Sequence, residues 1–332
     1  MTITYDPSHA AYVDEADTRG ELTRVFNVCD ECRRCVSLCS TFPSLFDTID
    51  GHTVQHDDRD AGRLTPEQQD RVVGQCFQCK LCAVDCPYAP GRHERQIDLP
   101  RLMLRAEAMR RANGHDAASR RSTRALINTG LINTGLARTV TTSFSSAVNR
   151  VTGAPAGSPR RRLLAWLTGL SAVRRLPTLA TQRFSSWCRL RDVHTHRVGA
   201  RSLRPVVVYP TCLVELHQPA IGRDMVQVYE RNGIDCALSQ ARCCGAALLH
   251  AGNVKKFSKA ASANVELLAD EVRGGHAIVV PEPMCSHVVR HDYPMYVQSP
   301  DAELVAENTF DACEYLMRVQ ADGESGLETD FV

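Results

Sequence analysis

The sequence lacks the features of an exported or membrane-spanning chain. Its first residues, Met1 to Pro7, contain no basic region followed by an apolar stretch and no small-residue cleavage site. No segment approaches the roughly 18 consecutive apolar residues that a spanning helix needs, because Arg, Asp or Glu interrupts every candidate. We therefore expect a protein of the cytoplasm, either free or peripheral on the inner face of the cell membrane.

Lysine is absent from residues 101–204, which hold 20 arginines and only three acids, Glu107, Asp116 and Asp192. Such an excess of positive charge is typical of nucleic-acid-binding proteins. Aromatic side chains for base stacking are few and widely spaced here: Phe144, Trp166, Phe184 and Trp187. Nucleic acid is therefore the less favoured partner.

Part of this basic stretch has helical periodicity. Residues 160–176 predict an amphipathic helix with basic flanks, whose apolar positions are Leu163, Leu164, Trp166, Leu167, Leu170 and Val173. Residues 160–191 suit docking on an anionic membrane face or an acidic partner subunit. A solvated arginine face over a core-packed helix is the other interpretation, and both stay open.

Cysteine is abundant. The chain has 332 residues, enough for two or three domains, and 15 of them are cysteines. Eight of these fall in two tight runs, a pattern that indicates metal chemistry. A disulfide framework is disfavoured because no export signal is visible.

The two runs share the pattern Cys-x-x-Cys-x-x-Cys-x-x-x-Cys, at positions 29, 32, 35, 39 and 76, 79, 82, 86. In two-cluster ferredoxins the last cysteine of each run binds the other 4Fe–4S cluster. We thus predict one cluster on Cys29, Cys32, Cys35 and Cys86, and another on Cys76, Cys79, Cys82 and Cys39. Zinc is the alternative, but it leaves the third and fourth cysteines of each run without a use.

Apolar residues beside these cysteines have two interpretations. They would exclude water from the clusters and tune their potentials, or simply pack in the core: Val36, Leu38, Phe77 and Leu81. Around the runs we expect a loosely ordered start over residues 1–20, a helix starting at Thr65-Pro66, and a helix over residues 100–111. A direct repeat at residues 126–135 has no functional interpretation.

The pattern of apolar and polar residues changes after Arg204. Apolar runs predict strands at residues 205–209, 234–238 and 277–280, and helical patterns lie around Met225 and Leu268. This alternation predicts a small α/β domain with a parallel sheet. Four cysteines follow the predicted strands, where such sheets gather functional loops: Cys212, Cys243, Cys244 and Cys285. They favour a third metal site over packing thiols.

Other thiols and imidazoles say less. Cys188, Cys236 and Cys313 are interpreted as packing thiols. The histidines at 194, 196, 217, 276, 287 and 291 show no metal-ligand spacing. His287 is the exception, since it lies two residues past Cys285 and could replace a missing ligand; a surface histidine is the alternative.

Together these motifs resemble the iron–sulfur oxidoreductases of the heterodisulfide-reductase-related group. The resemblance rests on both cysteine runs, Tyr209-Pro-Thr-Cys212, Cys243-Cys244-Gly245, Pro283-Met-Cys285 and His291-Asp-Tyr-Pro294. It implies an α+β multidomain chain, with a helical two-cluster ferredoxin domain (20–112), a basic helical or linker region (113–203) and an α/β cysteine-rich module of the CCG type (204–320). It also implies electron transfer from a flavoprotein, through two 4Fe–4S clusters, toward quinone or a disulfide.

Two departures from the group bear on the third site. Glu282-Pro-Met-Cys285 stands where the group often has Cys-x-x-Cys, and the chain stops at Val332, about where a second cysteine-rich module would begin, so we expect a shortened member or a truncated product. Two functions stay open. One is an electron-transfer subunit of an oxidoreductase; the other is a heterodisulfide or thiol–disulfide reductase that uses a third iron–sulfur cluster, or zinc, in the CCG module.

Overall fold

The computed structural model describes residues 5–56, 59–115, 145–168, 171–191 and 203–321. They form two compact units. The first consists of the described part of Met1–Asp116 together with Ala247–Lys255, and the second of the described remainder up to Val332. The predicted architecture, a helical first part followed by a small α/β part, is confirmed. The domain boundaries at 112 and 204 stay predictions, and the repeat at residues 126–135 lies outside the described residues.

Helices dominate the described residues. In chain order they are α1 (Glu15–Cys32), α2 (Thr41–His56), α3 (Pro66–Val73), α4 (Leu81–Val84), α5 (Leu99–Ala112), α6 (Ser145–Thr152), α7 (Pro159–Thr168), α8 (Phe184–Leu190), α9 (Cys212–Leu216), α10 (Pro219–Arg231), α11 (Ala246–His250), α12 (Val254–Arg273), α13 (Pro283–His287), α14 (Tyr293–Val297), α15 (Pro300–Glu307) and α16 (Ala312–Ala321). Short 3-10 turns lie at Ala10–Val13 and Ala61–Arg63, and a π-turn joins α13 to α14 at Val288–Asp292. No helix among the described residues is long and apolar enough to cross a membrane.

The core of the first unit lies among α1, α2, α3 and α5. Leu22 and Phe26 of α1 pack in one buried cluster with Leu102 and Met103 of α5. Both predicted helices are confirmed: α3 has a capping box in which Thr65 and Gln68 bond reciprocally, with proline in its first turn, and α5 also starts with proline in its first turn. Both cysteine runs lie against this core, since six of the eight cysteines pack on it.

The prediction of a loosely ordered start is wrong from Tyr5 onward. Arg105 of α5 is fully buried, and its guanidinium donates to the Tyr12 carbonyl at 3.1 Å and the Ala11 carbonyl at 2.7 Å and pairs with Asp17. These contacts tie the first turn and the beginning of α1 to the core. The sequence of residues 1–20 conceals this because the partner that orders them lies some 90 residues away along the chain.

The second unit is built on a four-stranded sheet. Its strands are β1 (Val206–Val208), β2 (Cys236–Leu238), β3 (Ala277–Val280) and β4 (Thr309–Asp311), all parallel, in the order β2-β1-β3-β4. Every residue of β1 and β3 is buried, as their unbroken apolar sequences require in a parallel sheet covered on both faces. All three predicted strands are confirmed. β4 was not predicted, because Thr-Phe-Asp contains no apolar run.

The amphipathic helix predicted over residues 160–176 is shorter. α7 ends at Thr168, and residues 171–176 are not helical. Arg161, which the prediction placed in a basic flank, is 2% exposed and donates to the carbonyls of Thr152 at 3.0 Å and Ser171 at 2.8 Å. Its guanidinium therefore holds the returning chain beside α7, and its charge does not reach the surface.

Several other arginines of the basic stretch are also engaged internally. In the first unit Arg105 pairs with Asp17 and Arg110 with Asp70, while in the second Arg191 pairs with Glu230 at 2.8 Å. The positive charge counted along residues 101–204 thus overstates the charge that a nucleic acid would meet, which weakens that interpretation further.

Candidate iron–sulfur and cysteine-rich sites

The first cysteine run begins at the end of α1. Cys29 lies in its last turn and Cys32 is its last residue; Arg33 then stops the helix in the left-handed conformation (φ 51°), with its N–H on the Cys29 carbonyl at 2.8 Å. The guanidinium of Arg33 is held by Asp30 and Asp50, each at 2.6 Å, and lies over the Phe46 ring. These contacts stabilise a backbone turn that is unfavourable for a residue with a side chain.

Four cysteines line one cavity. They are Cys29, Cys32 and Cys35 of the first run and Cys86 of the second, with apolar walls from Val28, Phe42, Phe46, Pro87, Tyr88 and Ile97. Burial raises the pKa of Cys29, and the next largest contribution comes from Cys86, ahead of Cys35. The last cysteine of the second run thus lies with the first three of the first run.

The second run follows α3. Burial raises the pKa of Cys76, the backbone N–H of Gln78 lowers it, and the charges of Cys39 and Cys79 raise it, with a net pKa of about 11. Burial likewise raises the pKa of Cys82 to about 12, with contributions from Cys76, Cys35, Cys79 and Cys39. Cys39 of the first run therefore lies beside the first three cysteines of the second. Because Cys35 also acts on Cys82, the two sets are neighbours.

These residues fit two 4Fe–4S clusters. Each set offers four thiols, and grouped thiols lose their protons together only where a metal cation compensates the charge. A 4Fe–4S cube needs one thiolate for each of its four irons, so each set has the number and kind of ligands that a cluster requires.

The apolar residues that neighbour the cysteines in sequence are exposed. Val36, Leu38, Phe77 and Leu81 are 39–62% exposed, so their interpretation as core residues is wrong, whereas their shielding of bound clusters stays a prediction. The cavity of the Cys29 set is lined by Phe42, Phe46 and Ile97, which are buried. The four exposed residues, with Val84 at 69%, leave an apolar surface on the cysteine loops. We call these five residues the apolar rim; an ion pair of Arg34 with Asp85 links its two loops.

The other cysteine set lies at the carboxyl edge of the sheet. Cys212 follows β1, Cys243 and Cys244 follow β2, and Cys285 follows β3. Since β1 lies between β2 and β3, all four come after adjacent parallel strands. The strand order changes direction between β1 and β3, and open α/β sheets bind ligands at the carboxyl edge beside such a point.

Three of these cysteines are in mutual contact. The Cys244 and Cys285 sulfurs are 3.0 Å apart, and the Cys285 thiol donates to Glu282 Oε2 at 2.9 Å. Hydrogen bonds to Cys243 and Cys285, with burial, raise the pKa of Cys244 well above its usual value. Donation from Cys244 lowers the pKa of Cys285, but burial and Glu282 outweigh it and the net shift is upward. Glu282 thus supplies the carboxylate that accepts the hydrogen bond of the Cys285 thiol.

Two residues position the cysteine pair: Asn264, which sequence reasoning missed, and Tyr293, which it quoted in a motif without a role. Asn264 of α12 is 2% exposed; its Nδ2 donates to the Tyr293 hydroxyl at 2.9 Å and the Cys243 carbonyl at 3.2 Å, and its Oδ1 accepts from the Arg242 N–H at 2.8 Å. Tyr293 in turn donates to the Cys244 carbonyl at 3.1 Å. A lone Asn inside a helical pattern carries no signal of this role.

Gly245 did carry a signal, since it directly follows the pair. Its φ is +85°, and a Cβ there would stand 2.9 Å from the Phe257 ring. Both the backbone conformation and the space therefore demand glycine.

The structure supports some of the interpretations made for the remaining cysteines and histidines and contradicts one. Cys188 and Cys236 pack against the core of the second unit, as interpreted, whereas Cys313 is exposed and is not a packing thiol. The ring of His287 lies 4.5 Å from that of His291, centroid to centroid. The idea that His287 replaces a ligand stays a prediction, and His194 and His196 lie outside the described residues.

Known proteins resemble both parts of the chain. The 4Fe–4S dicluster domain family matches residues 28–89, and the cysteine-rich domain family matches residues 206–290. The C subunit of anaerobic glycerol-3-phosphate dehydrogenase from Escherichia coli (strain K12) is 28% identical over 255 residues, covering 66% of this chain and 62% of that protein. Lactate utilization protein A of Shouchella clausii (strain KSM-K16) is 28% identical over 119 residues, covering 34% of this chain and 48% of that protein. The chain thus spans less than two thirds of the length of these relatives. No solved structure matches it.

Proposed function

We propose that this homologue of lactate utilization protein A and of the C subunit of anaerobic glycerol-3-phosphate dehydrogenase, which joins a 4Fe–4S dicluster domain to a cysteine-rich domain, is an electron-transfer subunit. It would take electrons from a flavoprotein dehydrogenase and pass them toward quinone or another acceptor. The observation that carries the proposal is the crossed grouping of eight cysteines into two neighbouring sets of four.

In this proposal Cys29, Cys32, Cys35 and Cys86 hold one 4Fe–4S cluster, and Cys76, Cys79, Cys82 and Cys39 hold the other. When bound, each cluster supplies a site for one transferred electron. The chain provides eight thiolates, apolar walls that limit water around the Cys29 set, and the Arg33 network that fixes the first loop. Because protein thiolates occupy every iron, these sites suit relay rather than substrate binding.

The first test is the content of iron and acid-labile sulfide per chain in anaerobically purified protein. Two clusters predict about eight irons. A protein that binds no iron under these conditions, after reconstitution as well, would refute the proposal.

The crossed grouping has its own test. Cys86→Ser should perturb the cluster whose other ligands are Cys29, Cys32 and Cys35, and Cys39→Ser the other one, so the two variants should alter different paramagnetic resonance signals. Exposed Cys313→Ser is the matched control and should alter neither. If both variants perturb the signal of their own run instead, the ligands are not exchanged.

The partner surface in this proposal is the apolar rim. Exposed apolar side chains on cluster-bearing loops suit a redox partner that must approach closely. Replacing Phe77 and Leu81 with serine should leave iron content unchanged while removing the flavin-containing complex from native gel filtration. Retention of that complex would place the partner elsewhere.

A second candidate function is reduction of a disulfide at the cysteine-rich site, with a third cluster or zinc on Cys212, Cys243, Cys244 and Cys285. The contact of Cys244 with Cys285, beside Cys243, favours it. About twelve irons per chain would support a third cluster, and Cys243→Ser should then remove its signal together with disulfide reduction. Eight irons per chain and no zinc would exclude a third metal site and leave electron transfer as the proposed function.

Helix α7 supports a peripheral membrane contact. Leu163, Trp166 and Leu167 are 57%, 81% and 62% exposed, near the exposed Arg160 and Arg162. Apolar side chains beside arginines suit the headgroup region of an anionic bilayer. Polar replacements of the three should abolish sedimentation with phosphatidylglycerol vesicles without unfolding the protein. Unfolding would favour core packing. A wild-type protein that does not sediment with the vesicles would favour an acidic protein partner. A cytoplasmic location stays a prediction.

A further inference from the structure

The loop between Cys76 and Cys82 contains a buried amide beside a cysteine sulfur. Gln78 is 5% exposed, and its Nε2 lies 3.6 Å from the Cys76 sulfur and 3.3 Å from the Pro100 carbonyl oxygen. Both neighbours are hydrogen-bond acceptors, so the side-chain nitrogen rather than the oxygen must face them. The positions of these two acceptors therefore fix the orientation of the Gln78 amide.

The backbone is bent to place this side chain. Gln78 has φ 56° and Lys80 has φ 63°, so left-handed residues flank Cys79 on both sides. Such positions are unfavourable for residues with a Cβ and persist only where the surroundings stabilise them. The Pro100 carbonyl at the start of α5 provides one such contact.

Packing alone does not account for an amide here. Gln78 Oε1 is buried and meets no donor among the described residues. A leucine of similar size would fill the space without leaving a polar atom unpaired. What the amide adds is an N–H directed at sulfur.

We infer that Gln78 is a positioning residue that raises the reduction potential of the cluster on Cys39, Cys76, Cys79 and Cys82. Its backbone N–H also donates to the Cys76 sulfur. Cys86 in the other set receives a comparable backbone bond from Tyr88, so the side-chain donor is what distinguishes Cys76. Reduction adds negative charge to a cluster, and an N–H directed at its sulfur ligand stabilises the more negative state. The inference rests on the proposed function, since it requires a cluster at this set.

The test compares Gln78→Leu with the wild type. Iron and sulfide content is measured first, and both midpoint potentials follow from a redox titration monitored by paramagnetic resonance. We expect unchanged iron content and one lower midpoint potential. The equilibrium constant for reduction of that cluster should fall about tenfold, which corresponds to about 59 mV for a one-electron couple. The other midpoint should not move. Gln78→Glu, which replaces the donor with an anion, should shift the same midpoint further in the same direction.

Gln96→Leu is the matched control, because Gln96 is also left-handed (φ 44°) but exposed. It should leave both midpoints in place. If Gln78→Leu does not fold, Gln78→Asn decides, since Asn tolerates the left-handed conformation and withdraws the donor by one methylene. Full iron content with both midpoints unchanged would overturn the inference and leave the relay intact. A wild type without iron would overturn the proposed function itself.

Discussion

Replacing Gly245 with alanine should destabilise the second unit by about 2–4 kcal/mol. The left-handed backbone, at φ +85°, contributes roughly 1–2 kcal/mol for any residue with a Cβ. The new methyl would meet the Phe257 ring at 2.9 Å, and overpacking of this kind contributes about 1–3 kcal/mol. Loss of glycine's freedom in the unfolded chain offsets about 0.4–1 kcal/mol.

Gly275→Ala separates the two contributions. Gly275 has φ +94°, and a Cβ there would meet nothing within 4 Å. This variant should therefore lose only the conformational part, about 1 kcal/mol. The difference between the two variants, about 1–3 kcal/mol, measures the clash with Phe257.

Urea denaturation followed by tryptophan fluorescence suits this measurement, because both tryptophans, Trp166 and Trp187, lie in the second unit. The double variant Gly245→Ala with Phe257→Leu should be more stable than the sum of the single changes predicts, since a smaller side chain relieves the clash. If Gly245→Ala is no more damaging than Gly275→Ala, the steric part of the reasoning is refuted.

Three further predictions concern stability. Gly20→Ala should raise the free energy of unfolding by about 0.5–1 kcal/mol, because Gly20 is exposed inside α1 and a Cβ meets nothing there; a lower melting temperature would contradict this. Burial lowers the pKa of His250 from 6.5 to about 4, so between pH 7 and pH 5 the unfolded chain binds a proton that the folded chain does not, and stability should fall by about 2 kcal/mol on acidification. Urea titrations followed by circular dichroism should show a shallower fall for His250→Gln, and an equal fall in both proteins would exclude His250. Arg161→Met should destabilise by about 2 kcal/mol or more because buried carbonyls lose their donor, whereas Arg162→Met at the surface should change little; equal losses in thermal melts would contradict a buried role.

Local patterns predicted the parts of this protein that depend on neighbouring residues. The spacing of each cysteine run is a property of one short loop, and β3 consists of four apolar residues that need burial on both faces. The capping box at Thr65 is likewise contained in four residues. Such features are readable because the physical cause and its signal lie in the same stretch.

The predictions that failed concern residues whose partners are distant in sequence. Arg161 looks like surface charge until the chain folds back and presents carbonyls to it. Phe77 and Leu81 look like core residues but are exposed to solvent, whereas Phe42 and Phe46 of α2 are buried and line the cavity of the Cys29 set. The role of Asn264 arises only when α12 reaches Tyr293 and the Cys243 carbonyl.

The membership of Ala247–Lys255 in the first unit means that no single cut of the chain separates the two units. Any fragment that ends before residue 247 leaves the first unit without Leu248 and Leu249, which are buried. It also lacks Gly252, which packs so closely on the backbone of Glu107 that a side chain would not fit there. A stop codon or a gene fusion placed between the two domains would therefore damage the amino-terminal one.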